Sequence, residues 1–173
     1  MRCLFSICNP ELTYTLSKYQ TACGIVDIMA HTMERYFTPY EPTDLTDRIG
    51  ESVIKATVEA GKTLMENPCD YDARANMMWA SSVSHNGLTG CGRDNSLAVH
   101  QLEHALSGEF DYIAHGAGLA VTMPAVFTYV MKQDVMRFAQ VAVRVWGCQM
   151  DFAHPEVTAK AGIEAFRNFL IPL

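Results

Sequence analysis

The chain has 173 residues, 49% hydrophobic and 18% charged, a composition that indicates an ordinary folded domain and excludes a disordered chain. Its formal net charge of −6 at pH 7 does not attract a phosphate backbone, so we expect no nucleic-acid partner. Its longest apolar runs are far shorter than the roughly 20 residues of a membrane helix, so we expect no membrane partner. Its six cysteines show no CxxC spacing and indicate reduced thiols, so we expect a cytoplasmic protein.

The first predicted element is a short apolar strand at residues 3–8, with the sequence CLFSIC. A lone strand has nothing to pair with in a helical domain, so we expect residues 1–10 to be a remnant of a strand from a preceding domain. Ser17 is a suitable N-cap for a helix from about 18 to 36, whose apolar residues recur at the helical period.

Six further helices are predicted from caps, apolar periodicity and breaker residues. Their approximate ranges are 44–65, 70–89, 95–107, 115–131, 134–146 and 155–169. Glycines at 90 and 92 are expected to end the third helix of the chain, and Pro124 to kink the fifth. Because only residues 3–8 have strand character, the predicted fold class is all-α, with one α-helical domain over residues 1–173.

Potential metal ligands occur in pairs. Asp27 and His31 are four residues apart, and so are His100 and His104. Residues four apart lie on one face of a helix, so each pair presents two side chains to the same neighbour. His115 precedes a Gly-Ala-Gly run that allows close backbone approach. We predict that Asp27, His31, His100 and His115 close around one metal ion.

Each of these patterns also has a simpler interpretation. Asp27 and His31 are compatible with an exposed pair of small energetic value, and His100 and His104 with hydrogen-bonded histidines on a half-buried helix. The apolar neighbours of Asp27 argue for a partner, because a buried carboxylate without one is very costly.

A second functional interpretation uses residues 100–104, HQLEH, which match the HxxEH pattern of inverzincin metallopeptidases. In that reading His100 and His104 bind zinc and Glu103 activates water, while the other candidate ligands are unexplained. The sequence leaves the role of Glu34 open. Glu34 is compatible with an outer partner of the site or with a cap, and His85, like His154, is expected to be structural or exposed, without a partner.

Several stretches, in order, resemble the iron-containing (group III) alcohol dehydrogenases, in particular the NADPH-dependent butanol-dehydrogenase and aldehyde-reductase branch. They are KYQTACGIVDIMAHTMERY, YDARANMMWA, NGLTG and HQLEHALSGEFDYIAHGAGLAVTMPA. The resemblance covers essentially the whole chain. It implies a helical bundle like the C-terminal domain of the dehydroquinate synthase-like fold, with Fe(II) or Zn(II) on Asp27, His31, His100 and His115. It implies that His104 lies near the nicotinamide, where it contributes to catalysis and cofactor binding and is not a metal ligand.

The N-terminal nucleotide-binding domain of that family, with its GGGS-type loop, has no counterpart in this sequence. The resemblance therefore implies the C-terminal part of an alcohol dehydrogenase that interconverts alcohols and aldehydes or ketones, with the metal polarising the substrate oxygen. We expect NADP(H) or NAD(H) to bind mainly to the missing domain, so that the chain alone is inactive. We also expect the enzyme to be a homo-oligomer, most simply a dimer. The alternative is a non-catalytic helical module that retains the fold.

Two positions depart from the family pattern. The interval between His104 and His115 is one residue longer than usual, and Ser17-Lys18 stands where the family usually has a proline. One extra residue in the loop between His104 and His115 adds little to the free energy of closing that loop. The position of His115 in the fold therefore shows whether the longer loop still allows it to reach the other ligands.

Overall fold

The computed structural model describes residues 4–38, 43–93 and 96–173. Over these residues the chain forms seven α-helices and no strand, so the predicted all-α fold class is confirmed. The helices are α1 (Lys18–Tyr36), α2 (Asp44–Glu66), α3 (Tyr71–His85), α4 (Ala98–Glu109), α5 (His115–Val130), α6 (Val135–Arg144) and α7 (Pro155–Leu170).

Several helices begin where local capping chemistry predicts. The Ser17 hydroxyl accepts a hydrogen bond from the Gln20 amide at 3.1 Å and starts α1. The carboxylates of Asp70 and Asp134 accept in the same way at the starts of α3 and α6. Pro155 begins α7, where its missing N–H removes no helical bond. These starts depend on side chains within one turn, which is why the sequence alone predicts them.

Three sequence predictions about local structure need comment. Residues 4–8 of the strand predicted at 3–8 form no strand within the described residues, which hold no partner segment for them, so the assignment to a preceding domain stays a prediction; residue 3 lies outside the described residues. The predicted helix over 70–89 stops at His85, because Gly87 takes the left-handed conformation (φ 92°) and Leu88–Gly90 forms a separate 3-10 turn. The proposed caps Asp94 and Asn95 of the fourth helix lie outside the described residues.

The core is built around α1, which packs against α2, α3, α4 and α5, while α7 packs on α5 and α6. Its largest buried group shares apolar side chains from α1, α5 and α7, among them Ile25, Met29, Met33, Leu119, Met123, Phe127 and Phe166. Trp79 of α3 is 65% exposed and lies outside this core. No described helix combines the length and hydropathy that a bilayer-spanning segment requires.

A buried ion network fixes the C-terminal end of α1. Asp47 of α2 is 4% exposed and accepts two hydrogen bonds of 2.6 Å from the guanidinium of Arg137, and Arg93 donates to the same carboxylate. Both arginines also donate to the carbonyl of Tyr36, at 2.7 Å from Arg137 and 3.1 Å from Arg93. The network therefore ties α2, α6 and the segment before α4 to the last turn of α1.

Candidate metal centre

The predicted ligands come from three helices that meet at Asp27. Asp27 and His31 lie on α1, His100 on α4, and His115 is the first residue of α5. Oδ1 of Asp27 lies 3.3 Å from Nε2 of His100 and 3.3 Å from Nε2 of His115. The extra residue between His104 and His115 therefore does not prevent His115 from contacting Asp27.

Ligand atoms gather in two groups that share Asp27. The atoms of Asp27, His100 and His115 all lie within 4.8 Å of one another, and so do those of Asp27, His31 and His85. His31 also lies beside His100, with the two ring centroids 4.1 Å apart. The three histidines predicted as ligands thus surround the Asp27 carboxylate, together with a further imidazole, His85, that was not predicted.

Two of these imidazoles contact a buried carboxylate through Nδ1, the ring nitrogen that does not face Asp27. Nδ1 of His100 lies 2.5 Å from Oε1 of Glu34, and Nδ1 of His115 contacts Oε2 of Glu103. A carboxylate accepts, so each Nδ1–H donates and each Nε2 is left to act as a metal ligand. Metal-binding histidines commonly have such an outer carboxylate, which orients the ring and raises its basicity.

The contacts of Glu34 and Glu103 bear on two alternatives of the sequence analysis. Glu34 is both an outer partner and a cap, because its Oε2 accepts from the amide of Val99 at 2.6 Å, at the start of α4. Glu103 is fully buried and bound to His115 and Ser107, so its carboxylate does not have the open position of a water-activating base. This geometry disfavours the peptidase interpretation.

The chemistry of the donor set fits a divalent transition metal. Nδ1 of His31 donates to the carbonyl of Asp27 at 3.0 Å, which again leaves Nε2 as the ligand atom. One carboxylate and three neutral imidazoles suit Fe(II) or Zn(II), and the intrinsic affinity order favours Zn(II).

The charges of the site favour a cation at this position. Burial by itself would raise the pKa of Asp27, but hydrogen bonds from His100 and His31 outweigh it and hold that pKa well below its usual range. Burial by itself would lower the pKa of His100, but Asp27 and Glu34 raise it to about 9. A proton is therefore held between two carboxylates, at a position where a metal ion can replace it.

Two glycines let α5 approach the site. A Cβ on Gly116 would lie 2.5 Å from the backbone Cα and carbonyl oxygen of Cys23 on α1, and one on Gly118 would lie 2.6 Å from Oε1 of Glu103. No side chain other than hydrogen fits these positions without moving a helix or the carboxylate. The glycines after His115 therefore let the start of α5 pack closely against α1, which is the close backbone approach that the Gly-Ala-Gly run predicts.

We expect Gly116→Ala to push the start of α5 away from α1 and to weaken both fold and metal binding. Overpacking of this kind costs about 1–3 kcal/mol in the free energy of unfolding, measured by urea denaturation. The matched control is Gly108→Ala on α4, where an added Cβ meets nothing within 4 Å. For this control we expect a slight gain in stability and an unchanged affinity for Co²⁺, used as a spectroscopic probe of the metal site. Equal behaviour of the two variants would contradict this role of Gly116.

His104 lies at the exposed rim of the centre. Its ring centroid is 5.2 Å from that of His115 and 6.1 Å from that of His100. It shares a close group of ligand atoms with Glu103 and His115, and neither group around Asp27 contains it. His104 therefore lies beside one proposed ligand, His115, but in neither group of ligand atoms around Asp27.

His85 is the residue that the sequence analysis missed. It was expected to have no partner, but its Nε2 lies 3.2 Å from Oδ2 of Asp27. The contact joins residues 58 positions apart, and only the register of α3 against α1 brings them together. No local pattern around His85 contains that information.

Comparison with known proteins gives a consistent set of relatives. The model of the Fe-containing alcohol dehydrogenase family, C-terminal, matches residues 21–172. NADH-dependent butanol dehydrogenase A of Clostridium acetobutylicum is 40% identical over 162 residues, which is 93% of this chain and 41% of that protein. NADPH-dependent aldehyde reductase YqhD of Escherichia coli is 34% identical over 166 residues, which is 96% of this chain and 42% of that protein.

A solved structure shares the fold. The crystal structure of NADH-dependent butanol dehydrogenase A from Thermotoga maritima superposes with a TM-score of 0.88 at 38% identity, over 93% of this chain and 39% of that one. The chain thus spans about two fifths of the length of the relatives it matches, at 39–42%.

Proposed function

Because the chain belongs to the Fe-containing alcohol dehydrogenase family, we propose that it is the C-terminal, metal-binding part of an NAD(P)H-dependent enzyme that interconverts alcohols and aldehydes or ketones. The observation that carries this proposal is the convergence of Asp27 with Nε2 of His100 and of His115, each imidazole backed by a buried carboxylate. The geometry offers less to the alternative of a non-catalytic helical module, because a fold kept without chemistry has no need of such a ligand set.

In this proposal Asp27, His31, His100 and His115 hold Fe(II) or Zn(II). When bound, the metal supplies Lewis acidity toward the oxygen of an alcohol or aldehyde. Asp27 balances the charge of the metal, and Glu34 and Glu103 keep the rings of His100 and His115 in place.

His104 is the proposed catalytic and cofactor-contacting residue of this chain. It is exposed beside His115, where an imidazole can reach a bound substrate and pass a proton at its ring nitrogen. The pocket for the nicotinamide belongs mainly to a part of the enzyme outside this chain, and the printed names of the two relatives include NADH in one and NADPH in the other. We further propose a homodimeric, cytoplasmic enzyme, and no turnover by this chain alone.

Cobalt(II) provides a direct test, because it reports its ligands through visible absorption. We expect about one equivalent of Co²⁺ to bind per chain. Addition of 2,2,2-trifluoroethanol, an alcohol that ionises readily, should then shift the visible bands, since a catalytic metal keeps a position open for substrate. If Co²⁺ binds stoichiometrically but its visible spectrum does not change when the alcohol is added, the site is a closed, structural one, and the proposed function is contradicted.

A chimera tests the activity itself. Replacing the matching part of the Clostridium butanol dehydrogenase by this chain should give NADH oxidation with butyraldehyde, and the same chimera with His104→Ala should be slower by about 10²–10⁴-fold if His104 moves the proton. The chain alone should show no turnover. Alcohol oxidation by the isolated chain would contradict the proposal that the cofactor pocket lies outside it.

The apparent affinity for Co²⁺ should depend on pH in a defined direction. Below pH 9 the raised pKa keeps His100 protonated, and metal binding must displace that proton. The affinity should therefore rise about tenfold per pH unit between roughly pH 7 and 8.5 and level off above 9, as followed by chelator competition. An affinity that does not change across this range would show that His100 gives up no proton to the metal.

A further inference from the structure

We propose that His85 is a fifth protein ligand of the metal centre and binds the ion through Nε2; this inference deepens the proposed function and rests on its metal site. The sequence and the family resemblance point to four ligands only, Asp27, His31, His100 and His115. His85 adds a fourth imidazole to that set, and it comes from α3, a helix that carries none of the others.

A carbonyl group fixes the ring proton of His85. Nδ1 of His85 lies 2.8 Å from the carbonyl oxygen of Ser81, which can only accept a hydrogen bond. The hydroxyl of Ser84 donates to the same carbonyl at 2.9 Å, so its oxygen, 2.7 Å from Nδ1, accepts from the ring as well. The neutral ring therefore carries its proton on Nδ1, and Nε2 presents an unshared electron pair.

His31, which is already a proposed ligand, has the same local arrangement. Its Nδ1 donates at 3.0 Å to the carbonyl of Asp27, four residues earlier on α1, as His85 donates to the carbonyl of Ser81, four residues earlier on α3. Histidines that bind a metal almost always donate the other ring N–H to a carbonyl, a carboxylate or water. His85 meets this condition as fully as His31 does.

The electron pair of His85 faces the carboxylate at the centre of the site. Nε2 lies 3.2 Å from Oδ2 of Asp27, close to the 3.3 Å that separate Oδ1 from Nε2 of His100 and from Nε2 of His115. Neighbouring ligand atoms that bind one metal at about 2.0–2.2 Å lie roughly 3 Å apart. Two acceptors at this distance repel each other, and a cation that both bind removes the repulsion.

His85 also contacts the rest of the ligand set through His31. The ligand atoms of His85, His31 and Asp27 lie within 4.8 Å of one another. The ring centroid of His31 is 3.9 Å from that of His85 and 4.1 Å from that of His100. Asp27 and His31 thus connect His85 to the other histidines, and we assign all five side chains to a single ion.

The end of α3 is anchored to α1, the helix that carries Asp27. Arg35 of α1 donates to the carbonyl of Ser84, and its guanidinium also reaches Oγ1 of Thr89 at 3.3 Å. These hydrogen bonds hold the residue next to His85 against α1. The position of His85 beside Asp27 is therefore set before any metal binds, as a ligand requires.

A fifth protein ligand changes which metal the centre suits. Four imidazoles and one oxygen of Asp27 make five donors, and the oxygen of an alcohol or aldehyde makes six. Zinc sites in proteins are mostly four-coordinate and expand to five. Fe(II) and Co²⁺ accept six ligands, so His85 favours Fe(II) over Zn(II) by geometry, although the intrinsic affinity order runs the other way.

Proton NMR of the Co²⁺-loaded wild-type chain counts the bound imidazoles directly. Each imidazole on Co²⁺ gives a solvent-exchangeable ring N–H signal far outside the diamagnetic range. We expect four such signals with one equivalent of Co²⁺ bound, and three in His85→Ala and in His85→Gln. His85 is exposed, so neither substitution opens a cavity in the core. His154→Ala, which removes a separate exposed histidine, is the matched control and should keep all four signals.

Metal affinities of the same variants test the choice of metal. Loss of His85 should weaken Co²⁺ binding by at least the roughly 10–100-fold that loss of an outer partner costs, and should weaken Zn²⁺ binding less. A residue that only supported the fold would weaken both metals alike.

Three outcomes would overturn the assignment of His85. They are three shifted signals in the wild-type chain, a Co²⁺ affinity of His85→Ala within twofold of wild type, and two equivalents of Co²⁺ per wild-type chain. The first two leave the proposed function intact. Four signals from a Co²⁺ form that does not respond to trifluoroethanol would instead contradict the proposed function and support ligation by His85. A wild-type chain that binds no Co²⁺ would contradict both.

Discussion

Asp27→Asn should abolish stoichiometric metal binding at micromolar protein. Asp27 is the one side chain common to both groups of ligand atoms, and it is the only carboxylate among the four proposed ligands. Asparagine keeps the shape but removes the charge, and it can place N–H donors where two imidazole Nε2 atoms already point. We expect a loss larger than the roughly 10–100-fold that removal of an outer partner costs.

Elemental analysis after dialysis, with Co²⁺ titration beside it, measures this loss. Asp72→Asn on the exposed face of α3 is the matched control, since it removes the same charge away from the centre. The metal-free variant should keep the helical circular-dichroism spectrum of wild type, because the helices are held by the apolar core around α1. Metal retained by Asp27→Asn at wild-type affinity would mean that the ion binds elsewhere.

Asp47→Ala should produce the largest loss of stability among single charge changes in this fold. It removes a carboxylate that the guanidinium groups of Arg93 and Arg137 share, and both arginines are 8% exposed. Breaking a buried ion pair by removing one partner typically lowers the free energy of unfolding by about 3–5 kcal/mol. The attachment of α2 and α6 to the end of α1 should weaken at the same time.

Urea denaturation of the metal-free chain measures this effect, with Asp44→Ala as the control. Asp44 pairs with Arg48 at 3.1 Å, but their side chains are 68% and 61% exposed, so this pair should contribute less than about 1 kcal/mol. A difference between the two variants smaller than 1 kcal/mol would show that the Asp47 network is not a main support of the fold.

Local chemistry made much of the fold predictable. The start of α1 at Lys18 depends on Ser17, and that of α6 on Asp134, and in each case the cap lies next to the helix it begins. The strand predicted at residues 3–8 depends instead on a long-range condition. An apolar segment such as residues 4–8 becomes a strand only beside another strand, and none is available to it in the described part of the chain.

For the site, the sequence by itself determined which side chains carry potential ligand atoms and that they occur in helical pairs. Spacing places Asp27 with His31 on one face of α1, and the glycines after His115 permit close packing, because both properties are local. The resemblance to a known family then selected His100 over His104. The family itself was predicted correctly from several motifs in order.

Only the tertiary structure decided which side chains face Asp27. It brought His85 from the end of α3 to Oδ2, turned Glu103 away from solvent toward His115, and let Glu34 support both His100 and the start of α4. These contacts depend on how α1, α3, α4 and α5 are rotated against one another. That rotation is set by burial of the whole apolar core, which no short stretch of sequence encodes.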